Sequence, residues 1–93
     1  MNNIKNNKIR KKIDTLDKKL LKIIKRRTSL VNEVIKVKKT KKQIVDRKRI
    51  KKVLINIKKL SIKMRIDSKI TNRIWKSMIN GYIDYEKRNF RKR

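Results

Sequence analysis

Residues 9–37 read IRKKIDTLDKKLLKIIKRRTSLVNEVIKV, and the spacing of apolar residues in this stretch decides the fold. Ile13, Leu16, Leu20, Ile23, Ile24, Leu30, Val31, Val34 and Val37 recur at three- and four-residue steps, which lines them along one face of a long amphipathic helix. Asn6 or Asn7 is the expected N-cap, because a short polar side chain there can accept an orphan backbone N–H. Downstream, TKKQIV (Thr40 to Val45) breaks the period and reads as a loop. Asp46 is placed to cap a second helix, whose stripe is Ile50, Val53, Leu54, Ile57, Leu60 and Met64. Asp67-Ser68 opens a third, carrying Ile70, Ile74, Trp75, Met78, Ile79, Tyr82 and Ile83 and reaching toward Phe90.

The expectation is an all-α chain of three helices, one long and two shorter. Composition agrees: there is no proline and a single glycine, Gly81, so the residues that end helices and shape strand turns are nearly absent. The 93 residues suffice for a single domain, 1–93, with frayed tails expected at 1–6 and 88–93. A chain this short buries a limited core unless it associates with another copy.

Cysteine and histidine are both missing. That removes disulfides, thiolate nucleophiles, imidazole acid–base chemistry and the commonest zinc ligands. No metal and no cofactor is expected. No apolar run approaches the roughly 20 residues that span a bilayer, and the expected location is cytoplasmic. The net charge of +26, from 33 basic and 7 acidic residues, by itself reads as a binder of nucleic acid or an anionic membrane. Lys, Ile and Asn dominate together, however, which is the signature of AT-rich codons. The chain also lacks interleaved aromatics, a Gly-rich loop or a reader motif, so no specific nucleic acid and no membrane is expected as partner.

More telling are charged residues that fall inside the apolar stripes. Arg27 lies seven residues after Leu20 and seven before Val34, in the same seam; Lys38 lies seven after Val31, and Arg10 and Asp17 extend that second row. Cations aimed into a seam are costly unless a carboxylate or bound anion compensates them. Asp14 and Asp17 are too few to neutralise Arg10, Arg27 and Lys38, which leaves room for an anionic ligand. Arg49 sits at the edge of the second stripe, and Glu86 falls in the third, one turn after Tyr82.

The run Ile9-Arg10-Lys11-Lys12-Ile13-Asp14-Thr15-Leu16-Asp17 through Leu20-Leu21 resembles the opening of the all-helical chorismate mutases, where an Arg precedes an Ile-Asp-x-x-Asp pattern and a Leu pair. The resemblance continues through Arg27, Val34 to Lys38, Asp46 to Arg49 and Ile66-Asp67, covering about Ile9 to Glu86. It implies rearrangement of chorismate to prephenate in phenylalanine and tyrosine biosynthesis, without a cofactor, by an intertwined homodimer. It further implies that Arg10 enters the partner's site to hold one substrate carboxylate, Arg27 holds the second, and Lys38 donates to the ether oxygen of the breaking bond. Asp46 and Arg49 match positions that shape the site, and Glu86 matches one held by Gln or Glu.

Three positions depart from the family pattern. Ile50 stands where a Glu usually contacts the substrate hydroxyl, and Tyr82 stands where a Ser is common. The segment between Lys38 and Arg49 is about one residue short. Two other functions remain to be weighed: a basic helical nucleic-acid-binding protein, and an isochorismate-pyruvate lyase on the same fold.

Overall fold

The computed structural model describes residues 2–91. Helix α1 spans Asn2–Val37, a single 3₁₀ turn spans Lys41–Ile44, α2 spans Arg47–Lys63 and α3 spans Ser68–Asn89. No strand occurs among the described residues, so the all-α expectation holds, with one long and two shorter helices. The chain divides into two compact units, one ending at Asn32 and the other beginning at Glu33.

The first unit is α1 up to Asn32. It is helical from Asn2, so Asn6 and Asn7 lie inside the helix and do not cap it. The reason is energetic: an interior Asn costs only about 0.7 kcal/mol relative to Ala, and with no proline or glycine nearby nothing stronger stops the helix. Thr15, Thr28 and Ser29 are accommodated by hydroxyls that donate to the carbonyls of Lys11, Ile24 and Lys25, at 3.0, 2.9 and 3.3 Å. Each thereby satisfies its own hydroxyl without opening the helix. The apolar row is little covered within the chain: Ile13 is 51% exposed, Leu16 57% and Leu20 55%.

The second unit holds the last turn of α1, the 3₁₀ turn, α2 and α3. Ile35 and Ile44 are its buried apolar residues. The Asp46 carboxylate accepts the Arg49 N–H at 3.0 Å, and Asp67 accepts the Lys69 N–H at 2.9 Å, so both expected N-caps start their helices. Helices α2 and α3 pack together, and where they meet near the turn the contact is polar. Ser61 and Thr71 are buried and their hydroxyl oxygens lie 2.7 Å apart, while Ser61 also donates to the Ile57 carbonyl at 2.6 Å. Small side chains let the two backbones approach, and the shared hydrogen bond satisfies groups that water cannot reach.

Helix α2 ends without a glycine. The Ile66 N–H donates to the Ser61 carbonyl and the Arg65 N–H to that of Ile62, a Schellman closure that requires the left-handed conformation at the residue between. Arg65 supplies it at φ 58°, which costs a side-chain-bearing residue about 1 kcal/mol. We expect Arg65→Gly to raise unfolding stability by about that amount, a Tm increase of roughly 4–8 °C in a domain of this size. Thermal melts at matched protein concentration check it, and an unchanged or lower Tm contradicts it.

Within the segments where frayed tails are expected, Asn2 to Asn6 are helical, and α3 continues through Asn89. Arg88 is held within that helix by Asp84 at 2.8 Å and lies 5.9 Å from the Tyr85 ring centroid. The remainder of the assigned tails, Met1, Lys92 and Arg93, lies outside the described residues.

Candidate functional site

Lys38 is the first residue past α1, and its position follows from how that helix stops. Its N–H reaches back to the Ile35 carbonyl at 3.2 Å, a tightened last turn. The next two N–H groups leave the helical pattern altogether, because the Gln43 side-chain oxygen accepts them both, from Lys39 at 2.6 Å and from Thr40 at 3.3 Å. Gln43 therefore folds the segment back under Lys38. Sequence reasoning passed over it as loop, although Thr40-x-x-Gln43 has the spacing of a capping box and could have revealed the turn.

The Lys38 ammonium donates to Glu86 Oε1 at 2.9 Å. Both side chains are largely withdrawn from water, with 18% and 11% of their surface exposed. Glu86 comes from the last turns of α3, on the face that also carries half-buried Met78, Ile79, Tyr82 and Ile83. A carboxylate and an ammonium placed here satisfy each other, as a charge removed from water requires. An ammonium has three N–H donors. One is given to Glu86, and two remain for another acceptor.

A wide, open surface cavity of about 570 Å³ adjoins the Lys38 side of this pair, lined by Lys38, Gln43, Val45, Asp46, Arg47 and Lys48 among others. Three of those side chains are cations and one is an acid. The acid is partly occupied, since Asp46 Oδ1 caps α2. The lining is thus cationic on balance, and its volume falls in the range of small-molecule pockets, roughly 300–1,000 Å³.

Of the residues singled out from sequence, the second unit brings together Lys38 and Glu86 directly, with Asp46 sharing the cavity with Lys38. Arg49 is tied to Asp46 through its backbone N–H while its side chain is exposed. Ile50 is half-buried in the first turn of α2. Tyr82 stands one turn before Glu86 with its ring edge-on to Tyr85, centroids 6.3 Å apart. Arg10 and Arg27 belong to the first unit, where Arg10 is exposed and Arg27 half-buried. No helix among the described residues is long and apolar enough to cross a membrane.

Comparison with known proteins bears on what such a site handles. A family model described as chorismate mutase type II matches residues 9–87. Comparison with curated proteins and with solved structures gives no match.

Proposed function

Because the chain belongs to the type II chorismate mutases, an all-α family of isomerases that convert chorismate to prephenate, we propose a site in which Lys38 is the transition-state cation and Arg10 and Arg27 are the carboxylate clamps. The observation that carries this reading is the Lys38–Glu86 pair beside a cation-lined cavity.

The reaction is an intramolecular rearrangement: one carbon–oxygen bond breaks as one carbon–carbon bond forms, and no proton, electron or co-reactant enters. A protein accelerates it by restricting a flexible dianion to the reactive conformer and by stabilising charge on the ether oxygen as its bond to carbon lengthens. Arginine forks suit the first task, since each grips a carboxylate with two parallel N–H bonds. Lys38 suits the second. Its ammonium meets more negative charge in the transition state than in the bound substrate, and only that difference raises kcat.

Glu86 takes the role of fixing the ammonium. With one N–H held by the carboxylate, the others are aimed before substrate arrives, so little reorganisation is needed at the moment of reaction. Asp46 holds the start of α2 and with it Arg49. Ile50 and Tyr82 are assigned to the less polar side of the bound substrate, where Ile50 offers its hydroxyl no partner.

We further propose that the working unit is a homodimer in which residues 1–93 act as one domain and Arg10 serves the partner's site. What supports it is the half-exposed apolar row of α1. A long helix in water draws most of its stability from burying such a row. Completing the burial is worth about 1 kcal/mol for each half-covered Leu or Ile. We place the activity in the cytoplasm, in keeping with a water-soluble dianionic substrate.

The test is to follow loss of chorismate absorbance with the full chain over a wide range of protein concentration, with isochorismate offered in parallel. Prephenate forms, isochorismate yields no pyruvate, and specific activity declines on dilution as dimers dissociate. Absence of prephenate at every concentration sinks the reading. Activity independent of dilution, in a species that sediments as a monomer, sinks the shared site alone.

A further inference from the structure

Helix α2 carries eight cations and no acid within its 17 residues. At about 100° per residue, Lys48, Lys51, Lys52, Lys58, Lys59 and Lys63 fall within one sector of roughly 140°. All six are exposed. The opposite side of the helix carries Val53, Leu54, Ile57 and Ser61, half-buried or buried, and is the side that packing with α3 occupies. The lysine sector is therefore a solvent face over the whole length of α2. From Lys48 to Lys63 it extends about 22 Å at 1.5 Å per residue.

Four of the chain's seven acids are engaged elsewhere: Asp46 and Asp67 cap helices, Asp84 pairs with Arg88, and Glu86 pairs with Lys38. Among the described residues no ion pair involves any of the six lysines. Like charges at i and i+4 on a helix repel, as Lys48 and Lys52 or Lys59 and Lys63 must. A row that repels itself over such a length is relieved by an extended anion far better than by a small one.

We infer that this face of α2 binds the phosphate backbone of nucleic acid without regard to sequence. A duplex presents about one negative charge per 1.7 Å of its axis, so a 22 Å row of ammonium groups lies opposite many phosphates and releases their condensed counterions. Lysine is a point charge on a flexible stem, which suits phosphate and lacks arginine's rigid planar fork. The sector has no aromatic side chain on which a base could stack. Its apolar members are Ile55 and Ile62 alone, too narrow a strip for a helix that lies in a membrane surface, which needs a broad apolar face. This binding is separate from chorismate turnover: of the six lysines only Lys48, at the start of the row, also lines the cavity beside Lys38.

The experiment measures fluorescence anisotropy of labelled DNA and RNA duplexes of about two helical turns, in two unrelated sequences each, titrated with the full chain over a series of salt concentrations. Expected is binding to all four with affinities within about threefold, and a linear fall of log affinity with log salt, close to −0.9 per phosphate contact. The combined variant Lys52→Gln, Lys59→Gln, Lys63→Gln should weaken binding at least tenfold and flatten the slope by about 2–3. It should retain helical circular dichroism and wild-type chorismate turnover, since Gln is a comparable helix former. A control of equal net charge, Lys11→Gln, Lys18→Gln, Lys22→Gln on α1, should weaken binding less than threefold. Equal losses in the two triple variants overturn the assignment to α2, leaving only the field of a +26 chain. Tighter binding to phosphatidylserine vesicles than to either duplex overturns it in favour of a membrane surface, and no binding near physiological salt overturns it outright.

Discussion

Replacing Lys38 with alanine lowers kcat for chorismate by about 10²–10³-fold, the cost of removing one preorganised donor from a developing oxyanion. If the ammonium acts mainly in the transition state, kcat and kcat/KM fall together. The same change leaves Glu86 largely buried without its 2.9 Å partner, and destabilises the fold by about 2 kcal/mol. The two effects separate in a second variant. Lys38→Met combined with Glu86→Leu removes both charges and replaces them with apolar side chains, so the unfolding midpoint recovers while activity does not. Steady-state kinetics and urea denaturation of both variants decide the matter. A single variant within tenfold of wild-type kcat removes Lys38 from the chemistry, and recovery of activity in the double variant does the same.

Arg10→Ala and Arg27→Ala, each inactive alone, regain about a quarter of wild-type activity when unfolded together in equal amounts and refolded. The number follows from symmetry in a twofold dimer. If Arg10 reaches the partner's site, a mixed dimer has both defects in one site and neither in the other. Half of the dimers are mixed, and half of their sites are whole. Were Arg10 and Arg27 to serve the site of their own chain, every site would carry one defect and the mixture would stay as inactive as its components. Activity of the refolded mixture, set beside refolded wild type, separates the two arrangements with no structural information required.

The fold was legible where the sequence spends distinctive residues. Asp46 and Asp67 stand ahead of apolar stripes, and both cap as their chemistry predicts. Asn6 and Asn7 offered the same signal falsely, because nothing on their N-terminal side breaks the helix. The turn after α2 was marked only by position: Arg65 adopts the conformation a glycine normally supplies, while the one glycine, Gly81, stands in the middle of α3. Ser61 and Thr71 escaped notice because buried hydroxyls become visible only once two helices are known to touch. At the site, Glu86 was legible as a carboxylate inside an apolar stripe, but its bond to Lys38 was not, since 48 residues separate them. Gln43 was missed because TKKQIV reads as structureless until its side chain is seen accepting two backbone N–H groups.

The Ser61–Thr71 hydroxyl pair has a bearing on how the chain reaches its native state. Its members are ten residues apart, so joining them closes a short loop at small entropic cost. Contacts of such low sequence separation form early and fast. The α2–α3 turn is thus a natural nucleus that needs no second copy, while the apolar row of α1 waits for whatever finally covers it. If the proposed homodimer is the working unit, refolding divides into a rapid unimolecular phase that gains helix and a slower phase, faster at higher protein concentration, that gains catalysis.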